Sequence, residues 1–160
     1  MKKVLLLTVF AIFGVIPLSS CSSDDDNLET GNPSVTEENQ EPNSSNTMKI
    51  TVGSTTFTAT IASNPTATAF KELLPMTINM LELNNNEKYY NLPNSLPTNS
   101  SNPGTIRNGD LMLYDSSTLV LFYKTFSTSY SYTRIGSVDD PSGLESALAR
   151  GSVRITFEIQ

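Results

Sequence analysis

A mainly β domain, a closed or nearly closed barrel with two short helices, is what residue patterning predicts for Met48 to Gln160. Three observations carry that expectation. Several runs alternate apolar and polar residues with a period of two, the signature of half-buried strands. Two short segments carry helix-capping residues followed by an apolar stripe. Many strands with only two short helices favour a barrel, because closure leaves no unpaired edge.

The elements follow in order. Met48-Lys49-Ile50-Thr51-Val52 alternates into Gly53-Ser54, and Thr55 to Ile61 continues with β-branched and aromatic residues. That is a hairpin with a Gly-containing two-residue turn. Asn64-Pro65 reads as the N-cap and first residue of a helix, since Asn accepts from orphan amides and Pro has no donor to lose. Phe70, Leu73 and Leu74 form its apolar stripe, and Pro75 stops it. Strands are expected at Met76 to Leu83, Lys88 to Leu92, Leu111 to Tyr114 and Thr118 to Phe126, with turns at Asn84-Asn85-Asn86 and Asp115-Ser116-Ser117. Leu119 to Tyr123 is apolar throughout and should be covered on both faces. Tyr130 to Val138 is a further strand. Asp140-Pro141 caps a second helix carrying Leu144, Ala147 and Leu148, which Gly151 ends after Arg150. Ser152 to Ile159 turns Val153, Ile155, Phe157 and Ile159 inward. The Pro/Asn/Ser-rich connection from Asn91 to Gly109 is too long for a simple turn, and loops of that length are usually functional or mobile.

The segment ahead of this domain is of another kind. Lys2 and Lys3 precede an uncharged, mostly apolar run from Val4 to Ile16. As a helix that run reaches about 20 Å, short of a hydrocarbon core of about 30 Å, so it is read as a signal-peptide core. Leu18-Ser19-Ser20-Cys21 resembles the bacterial lipobox, which implies cleavage after residue 20 and acylation of Cys21, the only cysteine. An ordinary cleaved signal with an incidental cysteine is the plain alternative. Two or three acyl chains, at about 0.8 kcal/mol per buried methylene, anchor firmly where one would exchange. The expected location is the bacterial outer membrane, with the bilayer itself as the first partner. Ser22-Ser23-Asp24-Asp25-Asp26 resembles an export signal for display on the outer surface.

From Ser22 to Thr47 there are seven acids and no Lys or Arg, with Leu28 and Val35 the main apolar side chains. Such a segment cannot bury enough surface to offset ordering entropy and is expected to be a disordered tether, spanning on the order of 30 Å. From Met48 onward nine acids face eight basic residues, so the domain is nearly neutral and offers no basic footprint for nucleic acid.

A resemblance emerges from several short stretches. Asn64-Pro65, Ala69-Phe70 and Leu73-Leu74-Pro75, then Gly109-Asp110-Leu111, Leu121-Phe122-Tyr123 and Arg134-Ile135-Gly136, are similar to the bacterial cyclophilin-like fold proteins, in matching order over nearly all of Met48 to Phe157. The resemblance implies an eight-stranded barrel closed by two helices. It carries no activity, because fold alone does not license function. True cyclophilins isomerise X-Pro bonds around a Phe-His-Arg stretch with a Trp and another His nearby. This chain lacks that stretch and contains neither His nor Trp. The chemistry needs little, however: the rotation barrier is about 20 kcal/mol, and one guanidinium donating to the prolyl nitrogen in a dry groove favours the twisted state. Arg107, Arg134 and Arg154 are the candidate donors, and no motif ranks them.

With Cys21 acylated, the mature domain has no thiol and no imidazole, which excludes His-based triads, Cys nucleophiles and His/Cys metal sites. No phosphate- or dinucleotide-binding glycine pattern occurs, and no cofactor or metal is expected. Asp139-Asp140 reads as helix capping and Asp110 as a turn residue. The candidate ligand site is Tyr130, Tyr132 and Arg134 on one strand face, with Phe126 just upstream and Tyr123 near in space. Tyrosines beside a guanidinium suit an aromatic, carboxylate or peptide ligand; a surface ladder with Arg stacked on Tyr is the competing explanation. The leading expectation is a membrane-anchored, non-catalytic module that binds a peptide, a small molecule or an envelope protein. A weak prolyl isomerase and a component of a larger envelope assembly are the alternatives.

Overall fold

A computed structural model describes residues 45–148 and 151–160. The expected signal peptide, Cys21 and nearly all of the tether lie outside the described residues. Strands β1 (Thr47–Val52) and β2 (Thr55–Ile61) form the expected hairpin, with Val52 opposite Thr55 and Gly53 at positive φ in the turn. Helix α1 (Pro65–Lys71) follows, capped by Asn64, whose side chain accepts from the Ala67 amide. Phe70 is buried, but Leu73 falls beyond the helix and is exposed, so the apolar stripe is shorter than its spacing suggested.

Next come β3 (Met76–Leu83), β4 (Glu87–Asn91), β5 (Thr105–Ile106), β6 (Asp110–Tyr114), β7 (Thr118–Phe122), β8 (Phe126–Ser127), β9 (Tyr132–Val138), α2 (Leu144–Leu148) and β10 (Val153–Ile159). Eight strands close into an antiparallel barrel in the order β1-β10-β3-β4-β7-β6-β9-β2, while β5 and β8 pair as a separate ribbon. The mainly β barrel with two helices is thus the observed architecture. Asn84, Asn85 and Asp115 take positive φ in the β3–β4 and β6–β7 turns, which short side chains that bond their own backbone tolerate.

Period-two alternation divides β7 between two apolar clusters. Leu119, Leu121 and the following Tyr123 join the barrel interior with Ile50, Phe70, Met80, Ile135 and Phe157. Val120 and Phe122 point outward and pack with Ile106, Met112 and Tyr132. The second cluster exists because the β5–β8 ribbon covers the outer face of β6, β7 and β9. The expected strand Thr118 to Phe126 breaks after Phe122 for this reason. The chain leaves the wall at Tyr123, whose amide donates to the Asn86 carbonyl, and Phe126 then pairs with Ile106.

The register places α1 and the end of β4 at one barrel mouth and α2 at the other, since β3 descends from Met76 and β4 returns to Asn91. The connection after β4 is an ordered strap. Leu92 and Leu96 are buried, Thr66 donates to the Pro97 carbonyl at 2.6 Å, and the Asn99 amide donates to the Thr133 hydroxyl.

On β9 an extra residue faces β6: Leu111 opposes Gly136 and Met112 opposes Arg134, a bulge that puts Ile135 and Gly136 together on the inner side. Gly136 is there for space. A Cβ on it would lie 2.5 Å from the Thr60 carbonyl oxygen.

Candidate functional site

The outer face of β4, β7 and β6 forms the floor of a cavity of about 600 Å³, within the range of small-molecule sites. Tyr89 and Val120 are cross-strand partners on that floor, as are Tyr114 and Thr118, and Tyr132 stands opposite Tyr114 on β9. The segment from Phe126 to Tyr130 closes the far side. Rings meet in sequence: Tyr130 on Tyr114 at 6.1 Å, Tyr114 on Tyr132 at 5.6 Å, Tyr132 on Phe122 at 5.5 Å and Phe122 on Phe126 at 5.7 Å. Most of these contacts are edge-to-face or tilted, the geometry that ring quadrupoles favour.

At the α2 end of this cavity sits Glu87, 8% exposed. Its partners across the sheet are Leu83 and Phe122, both apolar. Among the described residues no side chain donates to its carboxyl and no cation pairs with it. Burial, and secondarily the charge of Glu82, push the Glu87 carboxyl up to about 7. Asn86 lies beside it, and its side-chain oxygen is buried without a hydrogen-bond partner. Among the described residues, no Lys or Arg lines the cavity. Burial, and then the Glu87 charge, raise the Tyr132 hydroxyl above its ordinary range.

The sequence-selected residues divide between three environments. Phe126, Tyr130 and Tyr132 line the cavity together. Tyr123 does not: it points into the barrel, 2% exposed, and its hydroxyl donates to Glu82 at 2.8 Å. Its ring lies 5.7 Å from the Lys88 ammonium, which bonds Glu82 and the Gly151 carbonyl. Burial and the bond to Glu82 push the Tyr123 hydroxyl up. Burial also raises the Glu82 carboxyl, but hydrogen bonds from Lys88 and Tyr123 and the ammonium charge outweigh it and hold the group below its usual range. Arg134 shares the outer face with Tyr132, yet its guanidinium donates to Asp110 at 3.2 Å and is absent from the cavity lining. Asp110 is buried and also accepts from the Arg107 amide, so it ties a turn to β9. Arg107 and Arg154 are exposed and do not line the cavity either. Cys21 lies outside the described residues.

Glu87, Tyr89 and Tyr114 are the lining residues that sequence reasoning missed. Glu87, Tyr89 and Asn91 share one strand face at a period of two. That signal was present, but the expected strand began at Lys88 and left Glu87 outside it.

Comparison with known proteins bears on the fold. The solution structure of a hypothetical protein from Archaeoglobus fulgidus is similar over 76% of this chain and 99% of its own, with a TM-score of 0.55 and 13% identity. At that identity the likeness speaks for the fold alone. No curated protein matches the chain. The model of the cyclophilin-like family matches residues 50–158, the whole barrel apart from the first residues of β1 and the last of β10. On that match, the chain belongs to the cyclophilin-like family.

Proposed function

We propose that this chain is a lipid-anchored envelope protein whose barrel is a non-catalytic binding module, with the outer-face cavity as its ligand site. The observation that carries the binding role is the cavity itself: about 600 Å³, walled by tyrosines, holding a carboxyl that no described neighbour satisfies. A carboxyl largely withdrawn from water without a protein partner gains from a ligand that supplies one. A closed barrel gives such a site a rigid floor. Leu18-Ser19-Ser20-Cys21 supports the anchor, and the acidic stretch that follows supports a tether holding the module away from an outer membrane. The acids next to Cys21 favour display on the outer surface. A peptide, a small molecule or another envelope protein is the partner.

A prolyl isomerase would need a guanidinium aimed into a dry groove. Arg134 is committed to Asp110, and Arg107 and Arg154 stand outside the cavity, so the binding reading is preferred. Mass spectrometry of the native protein from membranes tests the anchor. The expected N-terminus is a Cys21 carrying two or three acyl chains, and a bare thiol or an uncleaved leader contradicts it. Thermal-shift screening tests the module, because a ligand specific for the folded state raises Tm by mass action.

A further inference from the structure

We infer that the cavity selects an organic cation, an alkylammonium group seated between the Glu87 carboxylate and the tyrosine rings. This rests on the reading of the cavity as a ligand site and adds the chemistry of the ligand. Three observations converge on it.

The first is polarity. Once ionised, the Glu87 carboxyl is acceptor-only, and among the described residues no side chain donates to it. A ligand that satisfies it must donate, and an ammonium group donates three hydrogen bonds and carries no acceptor. The second is charge. Among the described residues, Glu87 is the one carboxylate in the lining and no basic side chain joins it. Lys88, the nearest cation in sequence, is fully buried on the other side of the strand and held by Glu82. Lys124 pairs with Glu145 at 3.3 Å. Once Glu87 is ionised, an anionic ligand would meet an uncompensated like charge. The third is the wall: Tyr89, Tyr114, Tyr130, Tyr132 and Phe126 line the cavity. Aromatic faces attract cations through the ring quadrupole, most strongly where water is excluded.

The groups that face Glu87 set its proton linkage. Glu82 on β3 adds negative charge, and Tyr89, Tyr114, Tyr130 and Tyr132 contribute neutral hydroxyls. The free site therefore holds a proton in mildly acid solution and is about half ionised near 7, and a bound cation displaces the proton. Affinity rises with pH until Glu87 is fully ionised.

An ammonium of this kind is available from a free amine or from a lysine side chain, and the probes separate the two. Binding to the full chain in detergent micelles is measured by calorimetry with phenethylamine, with Nα-acetyl-lysinamide and with the neutral isostere 2-phenylethanol. Phenethylamine or the blocked lysine should bind, the tighter of the two marking the source, and 2-phenylethanol should bind at least about tenfold more weakly. Cation affinity should fall as pH drops below the Glu87 pKa, approaching tenfold per unit. Glu87→Gln should remove both the preference and the pH dependence, while Tyr130→Ala, which truncates a ring that is 61% exposed, should weaken binding with the pH dependence kept. Equal binding of the alcohol and the amine, or an unchanged affinity in Glu87→Gln, overturns the cation while leaving the cavity as a ligand site. Absence of saturable binding by all three probes overturns both.

Discussion

Glu87 and Lys88 are adjacent, opposite in charge, and do not neutralise each other. Lys88 sits opposite Leu121 and points into the barrel, where Glu82 holds it; Glu87 sits opposite Phe122 and points into the outer cavity. The strand's alternation puts the thickness of the sheet between them. One buried charge is satisfied and the other is not, and the pH behaviour of the protein should follow from that difference.

Glu87 makes stability fall as pH rises. Its folded pKa of about 7 lies above its ordinary 4.5, so the folded state holds the proton more tightly. The resulting stabilisation is complete below the ordinary value and is lost as pH rises through 7. At about 1.4 kcal/mol per unit the loss is at most on the order of 3 kcal/mol. Glu82, held below its ordinary value, acts in the opposite sense and only at lower pH: its contribution is present above the ordinary range and disappears on acidification. Stability should therefore peak near mildly acid pH. Thermal melts across pH should show Tm falling between mildly acid and mildly alkaline buffer, and Glu87→Gln should flatten that fall and leave the acid limb intact.

Lys88 closes the α2 end of the barrel interior by joining Glu82, the Gly151 carbonyl and the face of Tyr123. Removing one partner of a buried ion pair strands the other, at about 3–5 kcal/mol. Lys88→Met should lose roughly that much in denaturant unfolding, somewhat less to the extent that Glu82 reaches water. Lys88→Met with Glu82→Gln should lose less than Lys88→Met alone. Additive losses in that double-mutant cycle would show the pair to be uncoupled.

Gly136 gives the β9 bulge its close approach to β2. A methyl group there meets the Thr60 carbonyl at 2.5 Å, and the other near atoms are also backbone of Thr60 and Ile61, so no flexible side chain can yield. Gly136→Ala should destabilise by about 1–3 kcal/mol or more. Gly53→Ala, whose added Cβ meets nothing within 4 Å, should be milder and show only the strain of positive φ. Equal melting temperatures for the two variants would contradict the packing argument.

Asp110 and Arg134 are an unequal pair, the carboxylate buried and the guanidinium 51% exposed. Arg134→Ala should cost less than about 1 kcal/mol, as for exposed ion pairs. Asp110→Ala also strands the Arg107 amide and should cost about 1–3 kcal/mol. Because neither residue lines the cavity, Arg134→Ala should leave ligand affinity unchanged, which calorimetry on the same probes would check.

The barrel was legible in the sequence because it depends on local pattern. Met76 to Leu83 reads as one strand and forms one, and the Asn64-Pro65 start of α1 is written in capping chemistry. The site was legible only in part. Phe126, Tyr130 and Tyr132 do gather, but Tyr123 follows β7 into the core, and Arg134 is captured by an aspartate 24 residues earlier. Nothing in the strand period records that capture. Glu87 was the hardest to find, since it faces a cavity closed by the segment from Phe126 to Tyr130, distant in sequence. A carboxylate's environment is a tertiary property, and the two residues on either side of it do not contain it.

Carbon-detected NMR titration of the Glu87 side-chain carboxyl, with and without phenethylamine, tests the chemistry of the cavity most directly. The expected result is a midpoint near 7 in the free protein, shifting down by one unit or more as the amine saturates the site. A midpoint near 4.5 in the free protein, or one that saturating amine leaves in place, would contradict it.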